Sequence, residues 1–285
     1  MAKKDKDGLR GEQGFNSYYE SIFGERWSVL KEALLKEAEP VPYCLSKDLR
    51  TYYLDSASIL AAASLPLKGA EEILDLCAAP GGKTLVIASL MEEDARLTSN
   101  ERSFERKMRL TKVCDEHIMP SVRERITITC SDGALWCKTK SECFDRILLD
   151  APCSSERHVL NDKKYLDMWS PARIKTLSME QWALLSSAYR MLKKGGILVY
   201  STCALSPSEN DMVVKRLFKK FDDARVLSKD DPEYTECRND ISKIQLYSPE
   251  IRLPDTEKTE FGCQILPDAA DGAGPIYFSI IKKSV

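Results

Sequence analysis

Glu72-Ile-Leu-Asp-Leu-Cys-Ala-Ala-Pro-Gly-Gly-Lys-Thr84 is the stretch that decides the fold. Glu72–Leu76 is a short apolar run typical of a strand, and a helix is predicted over Lys83–Met91. Residues 80–82 predict a tight turn, which either lets bare backbone amides approach a ligand or simply closes the connection. The turn is not a phosphate-binding P-loop, because Cys77 stands where that motif requires glycine.

The alternation of predicted strands and helices continues beyond this turn. Apolar and β-branched runs predict five further strands: Arg96–Ser99, Ile126–Cys130, Phe144–Leu149, Ile197–Tyr200 and Pro275–Lys282. Helical spacing predicts helices over Ser103–Ile118 and Pro171–Leu192, with Gly195-Gly196 as the stop of the second. Because alternating strands and helices form a parallel sheet covered on both faces, we expect an α/β protein.

The segment before this regular pattern carries a different, mainly helical signal. Residues 12–38 carry aromatic and aliphatic side chains at helical spacing, which predicts one or two amphipathic helices, whereas residues 40–55 look irregular. Ser56–Leu65 is predicted to be an alanine-rich helix. We therefore expect an N-terminal helical extension over residues 1–65, packed on a main domain over residues 66–285.

The C-terminal third also contains weaker signals. Ser206-Pro-Ser-Glu209 predicts a capping box that opens a helix ending near Phe221. Within the polar stretch 222–274, Ile244–Leu246 and Gln264–Leu266 are predicted to be short strands.

Composition excludes several classes of protein. The chain has 285 residues, a net charge of −2 and 43% hydrophobic residues, enough for a large core. It has no apolar run of 18 residues and a charged N-terminus over Met1–Asp7, so we expect neither secretion nor membrane insertion. Ten cysteines without repeated Cys-x-x-Cys spacing indicate a reducing compartment, and only two histidines argue against a metal site.

An acidic residue stands at or just past the end of each of three predicted strands. Glu101 lies 20 residues beyond Gly81, where an acid can accept hydrogen bonds from both hydroxyls of a ribose. Asp132 and Asp150 are expected to end the next two strands, and Asp132 is placed to receive an adenine amino group. Each acid taken alone could equally be a cap or turn residue. Together they predict a site for a nucleoside-bearing cofactor with a positively charged centre.

Two cysteines stand at neighbouring strand ends, Cys153 in Ala-Pro-Cys and Cys203 in Ser-Thr-Cys. A thiolate in a ligand cleft is a strong nucleophile, so covalent catalysis is one interpretation. A small buried hydrophobic residue is the ordinary interpretation for either cysteine alone.

These residues carry a resemblance to a known family. Cys77-Ala-Ala-Pro-Gly-Gly-Lys-Thr84, Leu149-Asp-Ala-Pro-Cys-Ser154 and Tyr200-Ser-Thr-Cys203 resemble, in order and spacing, the signature blocks of the Fmu/Sun (NOL/NOP/Sun) family of RNA cytosine-C5 methyltransferases. Phe15–Glu20 and Gly274–Phe278 extend the resemblance to its mitochondrial ribosomal-RNA branch. Many relatives have glycine after the Pro-Cys-Ser block, whereas this chain has Ser155, which we interpret as a mark of that branch.

The resemblance implies a fold, a cofactor and a set of site residues. It implies a Rossmann-like S-adenosylmethionine-dependent methyltransferase fold, with a mostly parallel seven-stranded sheet and the catalytic domain over residues 66–285. The implied catalytic residues are Cys203 as nucleophile, Cys153 as the second cysteine, and Asp150. The implied S-adenosylmethionine-binding residues are Cys77, Ala78, Ala79, Pro80, Gly81, Gly82, Lys83, Glu101, Asp132 and Asp150.

The resemblance also implies a substrate and leaves alternatives open. Ribosomal RNA is the expected substrate and transfer RNA the second, with RNA recognition assigned to a partner protein or to the folded RNA, because no appended RNA-binding domain is evident. A methyltransferase acting on nitrogen or on protein, and a noncatalytic RNA-assembly module, are the competing classes. The cytoplasm is the expected compartment, with a mitochondrion or another organelle as the alternative.

Overall fold

The protein is built around a central nine-stranded sheet. The structure is a computed structural model that describes residues 10–285. In chain order the strands are β1 (Val41–Tyr43), β2 (Tyr52–Leu54), β3 (Glu72–Leu76), β4 (Arg96–Asn100), β5 (Ile126–Thr129), β6 (Phe144–Asp150), β7 (Leu192–Thr202), β8 (Ala224–Val226), β9 (Glu257–Lys258), β10 (Cys263–Ile265) and β11 (Ile276–Lys283). The charged stretch Met1–Asp7 lies outside the described residues.

Eleven α-helices accompany these strands within the described residues. They are α1 (Gly11–Phe23), α2 (Arg26–Leu35), α3 (Ser56–Ala63), α4 (Gly82–Leu90), α5 (Phe104–His117), α6 (Pro120–Arg123), α7 (Glu156–Asn161), α8 (Lys163–Asp167), α9 (Pro171–Met191), α10 (Asp211–Lys220) and α11 (Pro232–Lys243). Across residues 10–285, none of the helices combines the length and the apolar character needed to span a bilayer.

The sheet has the predicted mostly parallel architecture. The strand order is β5-β4-β3-β6-β7-β11-β10-β9, with β8 paired to β11. Pairing is parallel from β5 to β7, and β11 runs antiparallel to both β7 and β10. In the seven strands from β5 to β10, only β11 therefore opposes the common direction. The two- and three-residue strands β9 and β8 raise the total from the expected seven to nine.

Alternating side chains of the central strands enter two cores on opposite faces of the sheet. In β6, Leu148 belongs to the core that includes α3 and α4, whereas Ile147 and Leu149 belong to the core beneath α9 and α10. β7 alternates in the same way, as expected for strands buried on both faces. This burial fixes the register of β6 against β7, and so fixes which residues stand where the strands end.

Three local expectations were wrong. Residues 40–55, expected to be irregular, contain the antiparallel pair β1 and β2, whose three-residue strands are too short to show periodicity. In the polar stretch 222–274, α11 is a helix at a place for which no element was predicted. Ile244–Leu246 is a turn of 3-10 helix and not a strand, whereas the expected strand near Gln264 is confirmed as β10. Gly195-Gly196 does not stop α9, because the glycines lie inside β7, which begins directly after the helix.

An aromatic cluster attaches α1 and α2 to the rest of the protein. The Phe15 ring is fully buried, with centroids 5.8 Å from Trp27 and 5.4 Å from Trp169. Trp169 lies between α8 and α9, so the cluster joins the N-terminal helices to the main body. Burial of aromatic surface of this kind stabilises the packing of the N-terminal helices on the main body.

We expect Phe15→Ala to lower the free energy of unfolding by about 3–5 kcal/mol, because it leaves a cavity among packed aromatic rings. Urea unfolding followed by tryptophan fluorescence measures the change. Phe104→Ala is the matched control, since that ring is 67% exposed and its loss should change stability by less than about 0.5 kcal/mol. Equal effects of the two substitutions would contradict this role for the cluster.

Candidate active site

The loops after five neighbouring parallel strands surround a cavity of about 430 Å³. β5, β4, β3, β6 and β7 are adjacent and point the same way, so their carboxyl ends meet at one edge of the sheet. Seven of the predicted site residues line this cavity: Cys77, Ala79, Glu101, Asp132, Asp150, Cys153 and Cys203. An adjoining cavity of about 250 Å³ shares Cys77, Ala79 and Asp150 and adds four others: Ala78, Pro80, Gly82 and Lys83. Gly81 lines neither of these two cavities.

The two glycines of the turn after β3 are required for different reasons. Gly81 has φ of 120°, a conformation that residues with a side chain rarely adopt. Gly82 opens α4, and a Cβ atom there would overlap the side chain of Leu54 in β2. Gly81 is therefore required by the backbone conformation, and Gly82 is required by packing against β2. The sequence alone did not supply either reason.

Glu101 follows β4 and presents free acceptor capacity at the cavity wall. The residue is 3% exposed, and its Oε1 accepts the backbone N–H of Ser103 at 2.9 Å. Its Oε2 is buried and has no hydrogen-bond partner among the described residues, although Arg106 Nη1 lies 3.3 Å away. A buried carboxylate oxygen of this kind fits a ligand that brings hydroxyl donors.

Asp132 was expected to end β5, but it lies three residues beyond that strand. Its carboxylate accepts the backbone N–H of Ala134 at 3.0 Å and caps a short 3-10 helix over Gly133–Lys138. The side chain also lines the cavity, so the cap interpretation and the ligand interpretation apply to the same residue.

Asp150, the last residue of β6, is held from two sides. Lys83 Nζ donates to its Oδ2 at 2.8 Å, and Ser201 Oγ donates to its Oδ1 at 2.8 Å. Burial by itself lowers the pKa of Lys83, but the adjacent Asp150 carboxylate outweighs burial and raises the pKa overall. The lysine is therefore a permanent cation that fixes the orientation of the Asp150 carboxylate.

The two cysteines predicted to be catalytic, Cys153 and Cys203, lie close together in the loops after β6 and β7. Asp150 pairs with Ser201 in the sheet, and Ala151 N–H donates to the Ser201 carbonyl at 2.8 Å, so the two loops leave the sheet together. Cys153 Sγ lies 2.6 Å from Cys203 Sγ. The hydrogen bond with Cys203, followed by burial, raises the pKa of Cys153 well above the ordinary range for a thiol. Cys153 is therefore a protonated thiol at neutral pH.

A buried carboxyl pair beneath Cys153 was not anticipated from the sequence. Glu156 and Glu209 are both fully buried, and the Ser154 hydroxyl contacts a carboxylate oxygen of each. Tyr19 of α1 also donates to Glu156, and Gln181 Nε2 donates to Glu209 at 2.8 Å. Burial raises the pKa of Glu209 to about 7 and raises that of Glu156 as well. The pair reaches from α1 to the loop that carries Cys153.

This role of Glu209 explains why the predicted capping box was wrong. Glu209 Oε2 accepts the backbone N–H of Ser154 at 3.0 Å instead of folding back on Ser206. Helix α10 begins only at Asp211, and its preceding residue Asn210 makes no side-chain cap. The contact spans 55 residues of sequence, so no local pattern could reveal it.

Asp75 in β3 provides a pH-dependent contribution to stability. It is fully buried, its Oδ2 accepts a hydrogen bond from Thr84 at 2.6 Å, and burial raises its pKa to about 7. The folded state thus binds this proton more tightly than the unfolded chain, whose value is near 3.8. Its contribution to the free energy of unfolding is therefore greatest at low pH and is lost as pH rises to about 7.

We expect Asp75→Asn to reduce the fall in the free energy of unfolding between pH 5 and pH 8 by about 2 kcal/mol, because asparagine does not titrate. Urea unfolding across this pH range measures the effect. Asp94→Asn is the control, because Asp94 is exposed and should leave the pH dependence unchanged. An Asp75→Asn protein with the wild-type pH dependence would show that the carboxylate is already ionised in the fold.

Residues 62–268 match the family model described as 16S rRNA methyltransferase RsmB/F. The chain is 32% identical over 240 residues to 5-cytosine rRNA methyltransferase NSUN4 of Bos taurus, covering 82% of this chain and 60% of the relative. It is 34% identical over 207 residues to Ribosomal RNA small subunit methyltransferase F of Serratia proteamaculans (strain 568), covering 65% and 42%.

A third relative is the mitochondrial tRNA (cytosine(34)-C(5))-methyltransferase of Danio rerio, 32% identical over 238 residues, which cover 82% of this chain and 61% of the relative. The chain thus spans 42–61% of the length of these three curated relatives. The crystal structure of PH0851 superposes with a TM-score of 0.75 at 18% identity, covering 96% of this chain and 66% of that one. At this identity the superposition shows the fold alone, which is the expected α/β fold with a mostly parallel sheet.

Proposed function

Because the chain belongs to the 16S rRNA methyltransferase RsmB/F family, we propose that it is an RNA cytosine-C5 methyltransferase that uses S-adenosylmethionine. Ribosomal RNA is the proposed substrate, since the family description and two of the three relatives carry it in their names. Transfer RNA is the second candidate, on the name of the Danio rerio relative.

The single observation that carries this proposal is the pair of sulfurs at the cavity wall, Cys203 and Cys153, 2.6 Å apart. Carbon-5 of cytosine is a weak nucleophile. Addition of the Cys203 thiolate to carbon-6 forms an S–C bond and makes carbon-5 enamine-like. S-adenosylmethionine, when bound, supplies the electrophilic methyl group that this activated carbon takes up.

The remaining site residues have roles that follow from the same chemistry. Asp150, fixed by Lys83 and Ser201, is proposed to hydrogen-bond the cytosine edge and stabilise the adduct. Cys153 is proposed to assist loss of the carbon-5 proton to solvent water and breakdown of the adduct. The electron pair of the carbon–hydrogen bond re-forms the carbon-5–carbon-6 double bond, and Cys203 leaves as a thiolate stabilised by the Cys153 S–H. Without that step the protein remains attached to its RNA.

The residues around the cavity fit the proposed cofactor. The unpartnered Oε2 of Glu101 is suited to accept hydrogen bonds from ribose hydroxyls, and Asp132 is suited to receive an amino group of adenine. Cys77 through Lys83, which line the adjoining cavity except for Gly81, are proposed to complete the cofactor site.

The competing classes predict different arrangements of residues. A methyltransferase acting on nitrogen or on protein has no use for a nucleophilic sulfur, and a noncatalytic RNA-assembly module has no use for a cofactor cavity. The paired sulfurs in a cavity that Glu101 also lines therefore favour the cytosine-C5 reaction over both.

The domain organisation, the means of RNA recognition and the cellular compartment are also proposals. We propose that residues 66–285 form the catalytic domain and residues 1–65 an extension, with recognition dependent on the folded RNA or on a partner protein. The cytoplasm, our first expectation for the compartment, receives no support from the relatives' names. The mitochondrial alternative does, because one relative is named as mitochondrial.

Incubation of the protein with S-adenosylmethionine carrying a tritiated methyl group and with total RNA tests the proposal. Nucleoside analysis should place the label in 5-methylcytidine. Label in another nucleoside or in protein supports the first competing class, and failure to bind S-adenosylmethionine in calorimetry supports the noncatalytic module. Bisulfite sequencing of RNA from cells with and without the gene then identifies the nucleotide.

A further inference from the structure

Ser155 has an unusual backbone conformation between the two loops of the site. Its φ is 56° and its ψ is 62°, the left-handed region that favours glycine and is costly for a residue with a side chain. Ser155 directly precedes α7, a position where serine ordinarily caps the helix through its hydroxyl. Here the hydroxyl makes no cap hydrogen bond.

The Ser155 hydroxyl instead lies beside the two sulfurs. Its Oγ is 3.3 Å from Cys203 Sγ and 3.6 Å from Cys153 Sγ. Ser155 and Cys203 also form part of the wall between the cavity described above and a second cavity of about 510 Å³ on the side of Arg157 and His158. The hydroxyl is therefore a polar group in contact with the sulfur proposed to react.

We propose that the Ser155 hydroxyl donates a hydrogen bond to Cys203 Sγ and holds the thiolate in place for its attack on a pyrimidine ring. The inference rests on the proposed function, and it adds a residue that the signature blocks did not include.

The hydrogen-bond arrangement around the sulfurs is consistent in direction. A hydroxyl has one proton to donate and lone pairs to accept. Because Cys153 is protonated, its S–H donates to Cys203 Sγ, and the Ser155 O–H can donate to the same sulfur when it is a thiolate. Lys83, whose ammonium lies on Asp150, contributes a positive charge to the same site. The Cys153 S–H and the Ser155 O–H thus both face the sulfur that must become negative.

The test compares Ser155→Gly, Ser155→Ala and Ser155→Thr. Glycine removes the hydroxyl and the backbone strain, alanine removes the hydroxyl and keeps the strain, and threonine restores a hydroxyl. The first readout is the rate of Cys203 alkylation by iodoacetamide from pH 6 to pH 9, followed by mass spectrometry of the Cys203 peptide. This rate does not depend on RNA or on methyl transfer.

We expect Ser155→Gly and Ser155→Ala to slow alkylation of Cys203 about tenfold at pH 7 and to shift the pH–rate profile upward, with Ser155→Thr closer to wild type. The kcat of methyl transfer to RNA should fall in parallel, while the KM for RNA changes less than twofold. Ser155→Gly should also have a urea midpoint above that of wild type, so misfolding cannot account for its slower alkylation.

Alkylation rates within twofold of wild type in both Ser155→Gly and Ser155→Ala would overturn the inference. Failure of the proposed function itself gives a different pattern, in which wild type transfers no methyl group to RNA while the alkylation rates still differ.

Discussion

Cys203→Ala is expected to reduce methyl transfer to RNA at least about 1000-fold, to the background of the assay. The sulfur forms the bond to carbon-6 in the proposed reaction, and alanine has no atom that can replace it. Asp150 and the cofactor site are unchanged in this variant, so binding of S-adenosylmethionine should persist. Calorimetry with the cofactor and an initial-rate assay with tritiated methyl groups separate these two effects.

Cys130→Ala provides the matched control, because Cys130 is an exposed cysteine outside the two sulfur-bearing loops. It should retain full activity and the wild-type urea midpoint. A folded Cys203→Ala protein with full activity would contradict the assignment of the nucleophile and favour a methyltransferase that acts without a covalent step.

Cys153→Ala is expected to convert the protein into one that traps its substrate. The adduct through Cys203 still forms, but the thiol 2.6 Å away that assists proton loss and release is absent. A protein–RNA band that survives denaturation should therefore accumulate when the variant is incubated with RNA and S-adenosylmethionine, whereas wild type shows none at steady state. Denaturing gel electrophoresis with labelled RNA detects it.

The double variant Cys153→Ala/Cys203→Ala should form no such band, which separates a bond through Cys203 from nonspecific crosslinking. If the single variant turns over like wild type and forms no stable adduct, Cys153 has no role in release.

Three of the strands that build the site, β3, β6 and β7, were predictable because each is a buried apolar run with residues in both cores. β4 contributes only Leu97 to one core, and parallel pairing brings its end beside theirs. The structure brings Glu101, Asp150, Cys153 and Cys203 around one cavity for this reason.

Features that depend on contacts distant in sequence could not be predicted. β1 and β2 consist of three residues each, which is too few for a pattern. Gly82 is explained by the Leu54 side chain of β2, a contact that exists only in the folded chain. Glu209 looked like a capping residue because its partner Ser154 lies 55 residues away. The position of the Ser155 hydroxyl depends on a left-handed φ, although the serine standing where many relatives have glycine was a signal that could have revealed it.

The place of β11 in the sheet has a consequence for synthesis of the chain. β11 (Ile276–Lys283) lies between β7 and β10, yet it is the last strand of the sheet to leave the ribosome. Until it emerges, the β7 edge has no partner on that side, including at Ser201 and Thr202 next to Cys203. A nascent chain shorter than this carries an open edge that can pair with other chains. Protection from aggregation during translation and completion of the catalytic centre thus depend on the same eight residues.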